Sequence, residues 1–264
     1  MQTENLRHAP SPGAPIPFAC PNLMRPELLP QIREFAAERG LNVFGLVDAK
    51  RYDGSQPCDA RATALSPRCG TMVVLATGGK HAAMQVTRAS GFEVAALLQT
   101  QGIALRVLEP GVNSRLRIGC LGEAAGFGTV SPVSGLLLHP IYGPWLRVRA
   151  VLLLEGMPFG PVDEASISER YQPCGPCARP CVPACPASTF DGVGHHDLGG
   201  CATHRHAGGC ANGCSVRVAC PVGAEHRDAA LGGTPGHVLP LGSLRRWFGL
   251  GVWRFVPGAL RAHR

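Results

Sequence analysis

The feature that most constrains this chain is where its cysteines lie. Eight of the twelve fall between Cys174 and Cys220, a stretch in which an even spread would place about two. In a compartment that keeps thiols reduced, such crowding points to metal ligation and not to disulfides. The first run reads Cys174-Gly-Pro-Cys177-Ala-Arg-Pro-Cys181-Val-Pro-Ala-Cys185-Pro186. It follows the bacterial two-cluster spacing Cys-x2-Cys-x2-Cys-x3-Cys-Pro, with one extra residue between Cys177 and Cys181. In that pattern three thiolates wrap one [4Fe–4S] cube and the last ligates the other cube. The second group, Cys201, Cys210-Ala-Asn-Gly-Cys214 and Cys220-Pro221, again ends in Cys-Pro, where proline turns the chain away. Crossing the last cysteines assigns Cys174, Cys177, Cys181 and Cys220 to one cube. Cys185, Cys201, Cys210 and Cys214 then hold the other, and no thiolate is left over. Two structural zinc sites are the competing reading, because zinc ribbons also use Cys-x2-Cys. The triple-cysteine run and the two Cys-Pro ends favour iron and sulfide.

The other four cysteines, Cys20, Cys58, Cys69 and Cys120, are scattered and read as ordinary thiols. His195, His196, His204 and His206 lie inside the module and read as solvated loop histidines, since eight thiolates already suffice. Arg205 and Arg217 stand near the cysteines, where hydrogen bonds to cluster sulfur would raise the reduction potential. The formal charge of +7 is almost all arginine, with Lys50 and Lys80 the only lysines. Arginine pairs in bidentate fashion with carboxylate and phosphate, so anionic partners suit the chain, although arginine-rich composition alone explains the count.

Ahead of the cysteines the pattern alternates. Residues 1–24 are a Pro-rich lead-in. Apolar periodicity predicts helices over 26–40, 81–101 and 114–125, and strands over 41–48, 71–78, 103–109, 133–140 and 145–156. Residues 50–70 carry mixed loop and short-helix signals. The expected organisation is an α+β domain over 25–168, a two-cluster module over 169–226, and a basic aromatic tail over 227–264. That tail holds Arg245, Arg246, Arg254, Arg261 and Arg264 with Trp247, Phe248, Trp253 and Phe255. A membrane surface or nucleic acid would suit it, but Gly249, Gly251, Pro257 and Gly258 break an amphipathic helix, so the expectation is packing on the main domain. No apolar run reaches membrane-spanning length and the N-terminus does not read as a secretory signal, so the expected location is the cytoplasm.

One segment resembles a known family. Ala125-Gly-Phe-Gly128, then Ser134-Gly-Leu-Leu-Leu-His139-Pro-Ile-Tyr142-Gly143-Pro-Trp145, followed by the eight cysteines, is similar to the epoxyqueuosine reductase family and to the reductive dehalogenases. The resemblance implies a nitroreductase-like α/β sandwich domain followed by a bacterial two-[4Fe–4S] ferredoxin-like module. It further implies a cobalamin in the sandwich, reduced through the two clusters, with Gly126, Gly128, Ser134, His139, Tyr142 and Gly143 as its cradle. Glycines there would let backbone approach a large planar ligand closely. Where that family carries an acidic proton donor, this chain has Val112 or Asn113, and Glu109 is the nearby substitute. The spacings of the second cysteine group are also wider than the family's, and no helical repeat for tRNA follows the clusters.

The implied activity is an iron–sulfur oxidoreductase that takes electrons from a ferredoxin or flavodoxin and acts on a small molecule or modified nucleoside. A two-cluster electron carrier without its own catalytic centre is the alternative, and a zinc-stabilised nucleic-acid binder is a third.

Overall fold

The computed structural model describes residues 24–110, 116–162, 171–227 and 241–261. The Pro-rich lead-in, Val112 and Asn113 fall outside them. The domain before the cysteines is built on a four-stranded antiparallel sheet of β1 (Val43–Asp48), β2 (Cys69–Thr77), β3 (Leu105–Leu108) and β6 (Arg147–Glu155), in the order β1-β2-β6-β3. The two central strands are the two with the longest apolar runs. Both of their faces are covered, so Met72, Val74, Val151 and Leu153 pack to one side while Val73, Leu75, Leu152 and Leu154 pack to the other.

Helices α1 (Leu28–Glu38) and α5 (Ser90–Thr100) cover the second of these faces through Ile32, Ala36, Val94 and Leu98. The first face is closed by α2 (Ala49–Gly54), α3 (Ala62–Leu65) and α6 (Ile118–Ala124), which contribute Tyr52, Ala62 and Leu121. Buried Asp53 ties two of these elements together, accepting from the backbone amides of Ala62 at 2.6 Å and Thr63 at 3.1 Å. The result is the expected α+β sandwich: helices on both sides of one sheet.

Three expected elements differ. The helix over 81–101 is two helices, α4 (Lys80–Gln85) and α5, because Val86 is extended and the Ser90 hydroxyl accepts from the Thr87 amide at 3.0 Å. The strand over 133–140 shrinks to β5 (Leu137–Leu138), paired with β4 (Thr129–Val130). Here the Ser131 hydroxyl accepts from the amides of Val133 and Ser134, turning the chain where a strand was expected. The helix over 114–125 begins at Ile118 among the described residues.

The cysteine-bearing region is mostly turns, but it holds two helices that its composition did not announce: α7 (Leu198–His206) and α8 (Ser215–Ala219). The tail forms α9 (Leu241–Phe248), a 3-10 turn over Gly251–Phe255, and α10 (Gly258–Arg261). Its buried residue, Leu244, belongs to a helix that packs on α7 of the cysteine module, not on the main domain as expected. Among the described residues no helix is long and apolar enough to cross a membrane.

The sheet's centre is the domain's stability. Truncating fully buried Leu153 to alanine is expected to destabilise it by about 2–5 kcal/mol, read as a lowered urea midpoint with an unchanged slope.

Candidate metal centre

The eight cysteines of the module are free thiols, each half-buried. Cys174, Cys177, Cys181 and Cys220 line one cavity of about 370 Å³, counting its open mouth, together with Ser131, Ser134 and Leu138 of the α+β domain. The Ser131 hydroxyl lies 3.3 Å from Cys174 Sγ. Burial pushes the Cys220 thiol up, and the thiols that add to the rise are Cys181, Cys174 and Cys177. Burial also raises Cys181, helped by Cys174 and Cys177.

The other four thiols form a second neighbourhood. Burial raises Cys201, and Cys214, Cys185 and Cys210 act on it in the same direction. Burial raises Cys214 likewise, with contributions from Cys210 and Cys185. Cys185 differs: burial lifts it, but hydrogen bonds from the Thr189 side chain, 3.3 Å away, and from nearby backbone outweigh that and bring it below the ordinary thiol value. The chain therefore crosses itself. Cys185 leaves its own run for the later cysteines, and Cys220 returns to the earlier ones.

The backbone bends sharply to do this. Among the described residues the non-glycine positions with positive φ are Arg179, Ser188 and Cys210, all inside the module. Such conformations cost of order 1–3 kcal/mol each and persist where surroundings enforce them. Arg179 occupies the extra-residue segment between Cys177 and Cys181, and its amide points at Cys177 Sγ, 3.4 Å away. Two arginines are buried beside the second group. Arg205, 9% exposed, has its charged form disfavoured by burial, partly offset by Cys201, Cys214 and Cys210. Arg217, 3% exposed, lies on α8 between Cys214 and Cys220, donates from Nε and Nη2 to the Pro144 carbonyl, and stacks 5.0 Å from the Trp145 ring.

The glycine cradle is arranged differently from a ligand cleft. A Cβ on Gly128 would strike the Leu138 carbonyl, and one on Gly143 (φ +54°) would strike the Val222 carbonyl. At both positions the close approach is to the chain itself. Gly126 follows α6 in a left-handed turn, and Ser134 faces the thiol cavity. Tyr142 packs on Gly78, its hydroxyl accepts from Asn42 at 3.2 Å, and its ring meets His139 and His226 at 4.8 and 5.0 Å. The 139–145 corner is thus a clamp joining the sandwich to the cysteine module. The closeness of Gly128 to Leu138 and of Gly143 to Val222 is therefore explained by the chain's own packing, while a Cβ on Gly135 would meet nothing. Glu109 pairs with exposed Arg88 at 3.4 Å.

Two histidines depart from the solvated reading. His196 stacks on Phe190 with ring centroids 4.1 Å apart, and both His196 Nε2 and His204 Nε2 are buried without a hydrogen-bond partner. His195 and His206 are exposed, and His206 Nδ1 accepts from Arg245 of the tail at 3.1 Å. Of the scattered thiols, Cys58 is exposed, Cys120 half-buried, and Cys69 buried in the sheet, which pushes it up to about 12. Cys20 lies outside the described residues. Among those residues no three His, Cys, Asp or Glu side chains converge closely enough to hold a single metal ion.

No family model and no curated protein matches the chain. Its fold does match solved structures. Epoxyqueuosine reductase from Bacillus subtilis, with its catalytic aspartate loop swung out of the active site, is similar at 16% identity and a TM-score of 0.54, over 81% of this chain and 68% of that one. Epoxyqueuosine reductase with an epoxyqueuosine-modified tRNA-Tyr stem loop gives 16%, 0.55, 81% and 68%. A catabolic reductive dehalogenase in complex with 3-bromo-4-hydroxybenzoic acid gives 19%, 0.53, 74% and 32%, so this chain spans about a third of that enzyme. The chain has the fold that epoxyqueuosine reductases and reductive dehalogenases share.

The clamp carries a pH signature. Burial, with His226 close by, lowers His139 to about 4, and its Nδ1 accepts from the amides of Ile141 and Tyr142, which the neutral ring alone allows. The unfolded chain therefore binds this proton more readily, so stability should fall as pH drops from about 6.5 to about 4. His139→Gln should flatten that part of a pH–stability profile measured by denaturant titration.

Proposed function

We propose that this protein is an iron–sulfur oxidoreductase whose module holds two [4Fe–4S] cubes and moves single electrons to a molecule bound against the α+β domain. The observation that carries the reading is the crossed grouping of thiols. Two zinc knuckles would draw each foursome from neighbouring cysteines; here Cys185 and Cys220 exchange groups, as in the two-cluster spacing. The first group lines one cavity, which suits a polynuclear centre whose corners are held by separate sulfurs. Bound cubes would supply one-electron transfer at low potential.

The chain's own residues set the conditions for that transfer. The Ser131 hydroxyl lies within hydrogen-bond distance of Cys174 Sγ, and the Arg179 amide donates to Cys177 Sγ. Arg205 and Arg217 place buried positive charge beside the second group and should make its cube the easier one to reduce. The α+β domain contributes Ser131, Ser134 and Leu138 to the wall of the first group, so a cube there abuts that domain. An external donor of the ferredoxin or flavodoxin class would then feed the second group, and the cytoplasm, where thiols stay reduced, is the fitting location. A small molecule or modified nucleoside remains the proposed substrate class, since one structural neighbour was solved with a modified tRNA stem loop. No step is assigned to cobalamin or to Glu109.

A second reading has its own support. Because Gly128 and Gly143 serve internal packing, the chain would also work as a two-cluster carrier that hands electrons to a partner's active site.

Anaerobically purified protein should be brown and contain about eight irons and eight acid-labile sulfides. Colourless protein with stoichiometric zinc and no labile sulfide would end both readings. Turnover of a bound substrate by the chain alone, with a chemical reductant, separates the enzyme from the carrier.

A further inference from the structure

Strand β6 enters the sheet through Trp145, Leu146, Arg147, Val148 and Arg149, and this entry is built unlike the rest of the core. Trp145 is 2% exposed, and its indole Nε1–H is buried with no hydrogen-bond partner. Arg147 Nε and Nη2 and Arg149 Nε are buried and equally without a partner. Every orphan in this segment is a donor, and among the described residues no carboxylate acts on either arginine. Burial, with Arg149 as neighbour, disfavours the charged form of Arg147, and burial alone does so for Arg149. A third guanidinium, that of Arg217, arrives from the cysteine module, docked on Pro144 and over the Trp145 ring. Burial and then Arg147 disfavour its charge, while Cys214 acts the other way, so the uncompensated pair is Arg147 and Arg149. Buried charge without a counter-charge is costly, and proteins retain it where something else supplies the opposite sign.

The backbone is irregular at this segment. Ala76 pairs with Val148 and Leu75 with Ala150, so Arg149 is the extra residue of a β-bulge, a device that re-aims a side chain out of the strand's alternation. On the other edge, the ladder with β3 stops where Leu108 meets Val151. Residues 147–150 therefore lack a partner strand on that side among the described residues. The notch lies next to α8, three residues from both Cys214 and Cys220.

We propose that Trp145, Arg147, Arg149 and Arg217 frame a binding site for an oxyanion: a phosphoryl or carboxylate group on a small molecule. Guanidinium forks hold such groups bidentately, and the surrounding burial strengthens each bond. The site itself stands on the strand arginines. That its occupant is the electron acceptor rests on the redox reading, which places the first group of thiols beside the same clamp.

The test is anaerobic titration calorimetry of the full chain with inorganic phosphate and, separately, with malonate, in low-salt buffer. At least one probe should bind, and which one binds more tightly identifies the group the natural ligand carries. Arg147→Gln should weaken binding about tenfold, the loss of one charge-assisted hydrogen bond. Arg147→Gln with Arg149→Gln should abolish it, and Arg68→Gln, at an exposed position, should leave it unchanged. Without anion the double variant should melt at or above the parent temperature, because mutual repulsion is relieved. No heat with either probe, unchanged binding in the double variant, or a double variant that melts several degrees lower would overturn the proposal. Labile sulfide measured in the same sample keeps this result separate from the cluster assignment: its absence would sink the redox reading and leave the anion titration standing.

Discussion

The molecule is arranged around one crossing of the chain, in which Cys220 returns to Cys174, Cys177 and Cys181 while Cys185 goes forward to Cys201, Cys210 and Cys214. Neither group can be completed by the earlier or later half of the module alone. Each half is therefore held by the other, and the short helix α8, with Cys214 before it and Cys220 after it, joins both groups. That helix is fixed to the sandwich by Arg217 on the Pro144 carbonyl and by the contact of Gly143 with Val222. The clamp thus ties a region with few apolar side chains of its own to the sandwich.

The residues that read most clearly from sequence are those whose pattern is set by local chemistry. The central strands are legible because burial on both faces demands unbroken apolar runs, as in Met72 to Ala76 and Ala150 to Leu154. The neighbourhood of Cys220 with Cys174, Cys177 and Cys181 follows the spacing that the sequence shares with two-cluster modules. What sequence missed was decided by tertiary contacts. Val86 breaks an otherwise helical run because it lies against Gly40, whose tight turn leaves no room for another helical turn there. The stretch from Val133 was expected as a strand by its apolar content, yet the Ser131 hydroxyl captures the next amides and bends it. The glycines of the 126–143 segment were legible as necessary, but sequence does not distinguish a close approach to a ligand from a close approach to Leu138 and Val222. The orphaned donors of β6 had a weak signal: arginine at alternate positions in an otherwise apolar strand.

These features combine into one functional picture. The sandwich supplies a wall, Ser131, Ser134 and Leu138, to one thiol group, and the strand entering beside that wall carries Arg147 and Arg149 with buried donors that have no hydrogen-bond partner. Positive charge that would be unfavourable in an ordinary core stands at the boundary between the cysteine module and the α+β domain. The shared fold with epoxyqueuosine reductases and reductive dehalogenases gives this architecture a precedent, and Gly128 and Gly143 serve its internal packing.

The crossed grouping is best tested by counting irons in paired alanine variants purified without oxygen. If the thiols are shared as described, Cys177→Ala with Cys220→Ala removes one cube and retains about four irons, whereas Cys177→Ala with Cys185→Ala removes both and retains almost none. The opposite pattern, with the 177/185 pair keeping a full cube and the 177/220 pair losing everything, would contradict the account.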